Sequence, residues 1–199
     1  MATSTPQTDQ RHFNQWSRTY ETSIWQRLFF DRVHTALLTY IASIPTPQTI
    51  LDVGCGTGRL LRAAQKQWPS AHLIGVDPAQ GMIDVARHLT PNATFHLGTA
   101  EALPLEDASA DIVLSTLSFH HWQDALAGTR QVKRVLRPGG QFFLVDAYTP
   151  SWLAAIIRHN PTRTPQQVRD LFSEATLSVT AQQSFLWQYV FLTVGRNEP

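Results

Sequence analysis

Leu51-Asp52-Val53-Gly54-Cys55-Gly56-Thr57-Gly58 places three glycines at alternate positions directly after a short apolar run. Thr49 to Val53 has the β-branched, apolar character of a buried parallel strand, and Arg59, Leu60, Leu61, Ala63 and Ala64 follow as a helix. Glycines at such a join let the backbone take positive φ and approach a ligand that a Cβ would push away. The amides that open the following helix point into the same space and favour an anionic or hydrogen-bond-accepting group.

Spacing discriminates among the ligands such loops hold. The nicotinamide-dinucleotide fingerprint asks for a third small residue at position 59, where Arg59 stands. A P-loop asks for Lys and then Ser or Thr after its last glycine, where Arg59-Leu60 stands. Neither phosphate motif fits well. His72-Leu73-Ile74-Gly75-Val76-Asp77 reads as the next strand, and its terminal acid lies about twenty residues beyond the loop, where dinucleotide sites place a ribose-binding carboxylate. Asp77 is therefore a ribose candidate, able to accept from both hydroxyls. The competing reading is local, because an Asp before Pro78 also suits a helix N-cap.

Outward from this point, strands and helices alternate. Helices are expected over Arg59 to Trp68, Ala79 to Leu89 and Asp124 to Leu136, the last stopped by Pro138-Gly139-Gly140. Further strands are expected over Thr94 to Leu97, Asp111 to Thr116 and Gln141 to Asp146. Such alternation implies parallel pairing with right-handed crossovers, an α/β doubly wound sheet whose ligand crevice lies beyond the strands' carboxyl ends. The final runs, Leu177 to Trp187 and Gln188 to Gly195, are too closely joined for a crossover and suit an antiparallel hairpin.

The chain has 199 residues, 43% hydrophobic and 16% charged, the profile of a globular domain with a substantial core. A net charge of +1 without a basic run argues against a nucleic-acid partner. The single cysteine, Cys55, excludes an intrachain disulfide framework and suits a reducing, cytoplasmic setting; between two glycines it reads as tight packing rather than a nucleophile. Met1 to Gln10 is polar and reads as a disordered tail, not a secretory signal. No apolar run approaches the roughly 18 residues that cross a bilayer, so no membrane insertion is expected.

Taken together, Leu51 to Gly58, Asp77, Gly98-Thr99-Ala100-Glu101-Ala102-Leu103-Pro104-Leu105, Asp111-Ile112-Val113-Leu114-Ser115 and Arg134-Val135-Leu136-Arg137-Pro138-Gly139-Gly140 resemble the successive motifs of class I S-adenosylmethionine-dependent methyltransferases. The likeness is greatest to the small-molecule branch that includes quinone and sterol methyltransferases, and it runs from about Phe13 to Arg196. It implies a Rossmann-like, mostly parallel seven-stranded sheet with the C-terminal hairpin. It also implies one domain over 11–199, with an N-terminal helical lid over 11–45 and the core over 49–199.

The resemblance further implies that S-adenosyl-L-methionine is the cofactor. Gly54, Gly56 and Gly58 would shape the loop beside its methionine part, Asp77 would take the ribose and Met82 would lie near the adenine, unless Met82 is ordinary helix core. Thr99 and Ala100 would supply the adenine edge, and Asp52, Cys55, Pro78, Glu101 and Ser115 complete the implied contacts. Phe13 to Glu21 is similar to the family's leading segment; there Tyr20 would reach the cofactor carboxylate while Phe13 and Trp16 exclude water. These aromatics serve equally well as packing.

Transfer of a sulfonium methyl asks mainly for in-line orientation and a dry site, and for a base only when the acceptor must lose a proton. His120 and His121, just after the fourth strand, are the base candidates, and His121-Trp122-Gln123-Asp124 matches the His-x-x-Asp often found there in similar proteins. Asp146, Tyr148, Trp152 and His159 could also face the acceptor. Ser115-Thr116-Leu117-Ser118 lacks the acid-or-Asn-Pro-Pro-aromatic pattern of DNA amino-methyltransferases, which favours a small-molecule acceptor. No metal ligand set is assigned. A cofactor-binding subunit without turnover and a nicotinamide oxidoreductase stay open as alternatives, the latter at odds with Arg59. Thr99 departs from the family, where an acid follows the glycine. Its hydroxyl makes a weaker acceptor than a carboxylate, by about 1 kcal/mol. Thr99→Asp should therefore tighten cofactor binding by up to about tenfold in calorimetry; unchanged or weaker binding removes Thr99 from the site.

Overall fold

A computed structural model describes residues 24–148 and 162–199. The expected tail over 1–10, together with Phe13, Trp16, Tyr20, Trp152 and His159, lies outside the described residues. Two compact units divide the chain, Met1–Thr99 and Ala100–Pro199. The first holds α1 (Ile24–Ile41), β1 (Thr49–Val53), α2 (Arg59–Gln67), β2 (His72–Asp77), α3 (Gln80–Leu89) and β3 (Thr94–Leu97). The second holds β4 (Ala110–Thr116), α4 (Ala125–Val135), β5 (Leu136–Ala147), α5 (Pro165–Glu174), β6 (Ser178–Phe185) and β7 (Trp187–Arg196).

All seven strands form one sheet in the order β3-β2-β1-β4-β5-β7-β6. Pairing is parallel for β1 with β2, β2 with β3 and β4 with β5, and antiparallel for β5 with β7 and β7 with β6. This is the expected α/β class, mostly parallel with an antiparallel C-terminal hairpin. Every residue of β1 is buried, and in β2 only His72 is exposed, as strands covered on both faces require. The helices of each unit supply the cover. From α2 come Leu60, Leu61 and Ala64, from α3 Met82, Ile83 and Ala86, and from α4 Ala125, Gly128, Thr129, Val132 and Val135.

Two local outcomes differ from the sequence reading. Pro138-Gly139-Gly140 does not lie between helix and strand: α4 stops at Val135, and β5 begins at Leu136 and contains the run. Ala110 pairs with Leu136 and Ile112 with Gln141, so the intervening residues bulge out of the ladder. Buried Asn197 holds the bulge, donating from Nδ2 to Leu136 O at 2.8 Å and from its own amide to Gly140 O at 2.9 Å, while its carbonyl accepts from Gly139 N at 2.6 Å. The second outcome is α5, which has no counterpart in the expected elements. Its signal was present in Thr164-Pro165-Gln166-Gln167: Thr164 Oγ1 accepts from Gln167 N at 3.1 Å, and Gln167 Oε1 accepts from Thr164 N at 2.8 Å, a capping box with Pro in the first turn.

Aromatic rings are seated where glycines leave room. A Cβ on Gly75 of β2 would stand 2.6 Å from Phe95 Cδ1 and 2.8 Å from Cys55 Sγ, and one on Gly195 of β7 would stand 2.7 Å from Phe172 Cδ2. Phe172 in turn stacks on Phe142 with centroids 5.1 Å apart. Gly75→Ala is therefore expected to destabilise the fold by about 1–3 kcal/mol through overpacking. Urea denaturation checks it, with Phe95→Leu in the same chain restoring part of the loss.

Candidate active site

The loop between β1 and α2 begins as a continuation of the ladder, with Gly54 N and Cys55 N donating to Val76 O at 2.8 and 3.1 Å. It then turns back on itself, Gly58 N donating to Cys55 O at 2.9 Å. Gly54, Gly56 and Gly58 have φ of 76°, 52° and 74°, which explains why β-carbons are absent at these alternate positions. Their surroundings differ: a Cβ on Gly58 would stand 2.9 Å from Phe95 Cζ, whereas one on Gly56 would meet nothing within 4 Å. Gly58 is thus packed from within, and Gly56 borders open space. Gly58 is also the N-cap of α2 and offers no side chain to the helix amides.

Asp77 ties this loop to the next element. Its Oδ2 accepts from Gly56 N and its Oδ1 from Ala79 N, each at 2.9 Å. The N-cap reading of Asp77 is corrected: α3 begins at Gln80 with Ala79 as its N-cap, and the bond to Ala79 N closes a local turn just before the helix while the bond to Gly56 N shapes the glycine loop. Burial raises the Asp77 pKa above the usual carboxylate range, and the two amides pull it back down. Asp52, at 2% exposure in β1, has no such help: Oδ1 is without a hydrogen-bond partner among the described residues. Burial first, and then repulsion from Asp77, push the Asp52 pKa up to about 8. Cys55 is buried as well, and burial with the two carboxylates raises its thiol pKa far up, which keeps the sulfur protonated and inert. Pro78 is exposed, Met82 is buried in the core face of α3, and Thr99 is half-buried.

In the second unit Ala100 and Glu101 form a 3-10 turn with Ala102. Glu101 Oε1 accepts from Gln123 N at 2.8 Å and Asp124 N at 3.2 Å, so its carboxylate braces the entry to α4. Asp124 is the N-cap, accepting from Ala127 N at 2.9 Å. Ser115, fully buried at the end of β4, bonds the Ser118 hydroxyl at 2.8 Å. Leu117 between them has φ of 53°, a left-handed conformation that costs a non-glycine residue about 1 kcal/mol.

That bend delivers Phe119–His121 as a 3-10 turn against the end of β5. Asp146 Oδ2 accepts from His120 N, and Asp146 Oδ1 faces His120 Nδ1, both at 2.8 Å. A carboxylate only accepts, so Nδ1 carries a proton, and in the neutral imidazole the lone pair is then on Nε2. The structure thus brings together two candidates from the sequence, His120 and Asp146, and distinguishes His120 from His121, which is exposed and whose ring lies 4.1 Å from that of His120, tilted by 45°.

Residues 51–144 match the methyltransferase domain family. The methyltransferase YcgJ of Bacillus subtilis is 33% identical over 153 residues, 73% of this chain and 60% of YcgJ. The chain belongs to the class I S-adenosylmethionine-dependent methyltransferases. The malonyl-[acyl-carrier protein] O-methyltransferase of Xylella fastidiosa is 35% identical over 72% of this chain and 49% of its own length. The chain therefore spans about half to three-fifths of the length of these curated relatives. The fold is shared with the methyltransferase chain of a complex with the Haloferax volcanii Trm112 methyltransferase activator, with a TM-score of 0.77 and 24% identity over 94% of this chain and 98% of that one.

Within this methyltransferase domain Asp52 is the group most at odds with its surroundings, and the sign of the consequence follows from its raised pKa. Unfolded, it ionises near pH 4; folded, it holds its proton to about pH 8, so its contribution to stability falls as pH rises between those values. Asp52→Asn should then stabilise the ligand-free protein relative to wild type by an amount that grows with pH from 5 to 8, by at most about 1.4 kcal/mol per unit. Thermal melts of both proteins across that range test it, and a pH-independent difference would contradict the assignment.

Proposed function

We propose that this domain transfers a methyl group from S-adenosylmethionine to a small-molecule acceptor by in-line displacement. The observation that carries the reading is the buried, unpartnered Oδ1 of Asp52 in the strand leading into a glycine loop with open space beside Gly56. A cationic donor such as an α-ammonium suits that oxygen, because it would ionise Asp52 and satisfy it at once. Phosphate-bearing cofactors fit poorly, since the buried Asp77 carboxylate already occupies the Gly56 amide of the loop.

When bound, the cofactor supplies a sulfonium whose methyl is already activated for displacement. Asp52 would hold the amino-acid ammonium, and the amides of the Gly54–Gly58 turn would face its carboxylate. Asp77 would receive the ribose hydroxyls on the lone pairs that Gly56 and Ala79 leave free. By family likeness Met82, Pro78, Thr99, Ala100, Glu101 and Ser115 belong to the same set, with Tyr20 from outside the described residues. His120 would take a proton at Nε2 when the acceptor is a protonated oxygen or nitrogen, and Asp146 stabilises the resulting imidazolium through Nδ1. His121 is the weaker of the two base candidates.

No helix among the described residues is long and apolar enough to cross a membrane. The lone, buried Cys55 suits the cytoplasmic setting of this reading, and the near-neutral charge suits a partner other than nucleic acid.

Titration with S-adenosylhomocysteine at pH 7 in buffers of different ionisation enthalpy should show release of about one proton per site, as Asp52 ionises against the ammonium. Binding of NAD in its place would overturn the cofactor, and binding without transfer of a labelled methyl group to any component of a metabolite extract would overturn turnover.

A further inference from the structure

The second unit contains an open recess, lined among others by Phe119, Leu144, Asp146, Tyr148, Arg163 and Phe191. Its enclosed space is about 20 Å³, room for about one water, so a ligand would lie in the open mouth against walls that are largely apolar, with Tyr148 meeting Phe191 edge-on at 6.1 Å. Its polar groups are unequally occupied. The Asp146 carboxylate already accepts from His120 N, His120 Nδ1 and Ala147 N, each at 2.8 Å. Arg163 is the opposite case: its guanidinium carbon lies 5.3 Å over the centre of the Phe119 ring, and no hydrogen bond or ion pair engages it among the described residues.

Stacking on a ring face leaves the in-plane N–H donors of a guanidinium available. The side chain's root is fixed, since Thr164, the next residue, is the N-cap of α5 and is locked by the capping box. Burial lowers the Arg163 pKa while Asp146 and Asp124 raise it, and an arginine stays charged throughout the accessible range. Asp124, the second nearby carboxylate, already accepts from Ala127 N at 2.9 Å. A half-buried cation whose donors are unused among the described residues, at the mouth of a largely apolar recess, is suited to a planar oxyanion accepting a two-pronged bond.

We propose that this pocket is the acceptor subsite and that Arg163 grips a carboxylate there, so that the methyl acceptor is a small organic acid with an apolar or aromatic body. The acceptor role rests on the methyl-transfer reading above; the anion site rests on the pocket alone. Arg163 is a specificity-determining residue here, apart from Asp52, Asp77 and His120.

The test pairs acids with their neutral amides, benzoate with benzamide and 3-phenylpropanoate with 3-phenylpropanamide, titrated by calorimetry or ligand-observed NMR with and without S-adenosylhomocysteine. The acids should bind at least about tenfold more tightly than the amides. Arg163→Gln should erase that preference and Arg163→Lys should keep part of it, with thermal melts and S-adenosylhomocysteine affinity unchanged in both. If no acid outbinds its amide, or if Arg163→Gln retains the preference, the anion site is overturned while homocysteine-nucleoside binding leaves the methyl-transfer reading intact. If the Arg163-dependent preference is present but neither S-adenosylmethionine nor S-adenosylhomocysteine binds, the anion site stands and the acceptor role falls with that reading.

Discussion

The carboxylate of Asp77 organises the first unit with two hydrogen bonds, one to Gly56 N and one to Ala79 N. The first holds the glycine turn in its left-handed shape, and the second starts the segment that becomes α3. Neither partner is a side chain, so the arrangement survives any change of neighbours that leaves the backbone path alone. It has an electrostatic cost: a second carboxylate in the same buried region cannot ionise freely, and Asp52 is held neutral at pH 7 by burial and by Asp77. A cationic ligand would reverse that balance, which is why the proposed reading puts positive charge beside this pair of acids. The same pair works against phosphates, for which glycine turns of this kind are otherwise suited.

In the second unit the corresponding economy is between Asp146, His120 and Arg163. Asp146 accepts three local hydrogen bonds, which pins the turn after β4 and sets the imidazole tautomer. Arg163 is left to the Phe119 ring and to the field of Asp146 and Asp124. One charge in the pocket is internally satisfied and the other is not.

What the sequence made legible was local. The glycine turn, the strand His72–Asp77 and the strand Thr94–Leu97 could be read because period, turn chemistry and spacing are properties of neighbouring residues. The start of β5 could not, because Pro138-Gly139-Gly140 reads as a stop until Asn197, far along the chain, supplies the bonds that keep the bulge in the sheet. The pairing of His120 with Asp146 spans 26 positions and depends on the bend at Leu117, which no composition rule anticipates. Arg163 carried no signal as a binding residue for the same reason: its ring partner and its pocket come from other elements. By contrast α5 is marked locally, by Thr164-Pro165-Gln166-Gln167.

Cys55 is the chain's single sulfhydryl, beside Gly75 and kept protonated by burial first and by its acidic neighbours second. Alkylating reagents and mild oxidants that act on thiolates therefore find no target in the folded protein. A cysteine engineered anywhere on its surface would be the sole attachment point for a fluorophore or spin label, with no need to remove the native one. Distances across the molecule, and their change as ligands enter, are accessible by that route in the unmodified background.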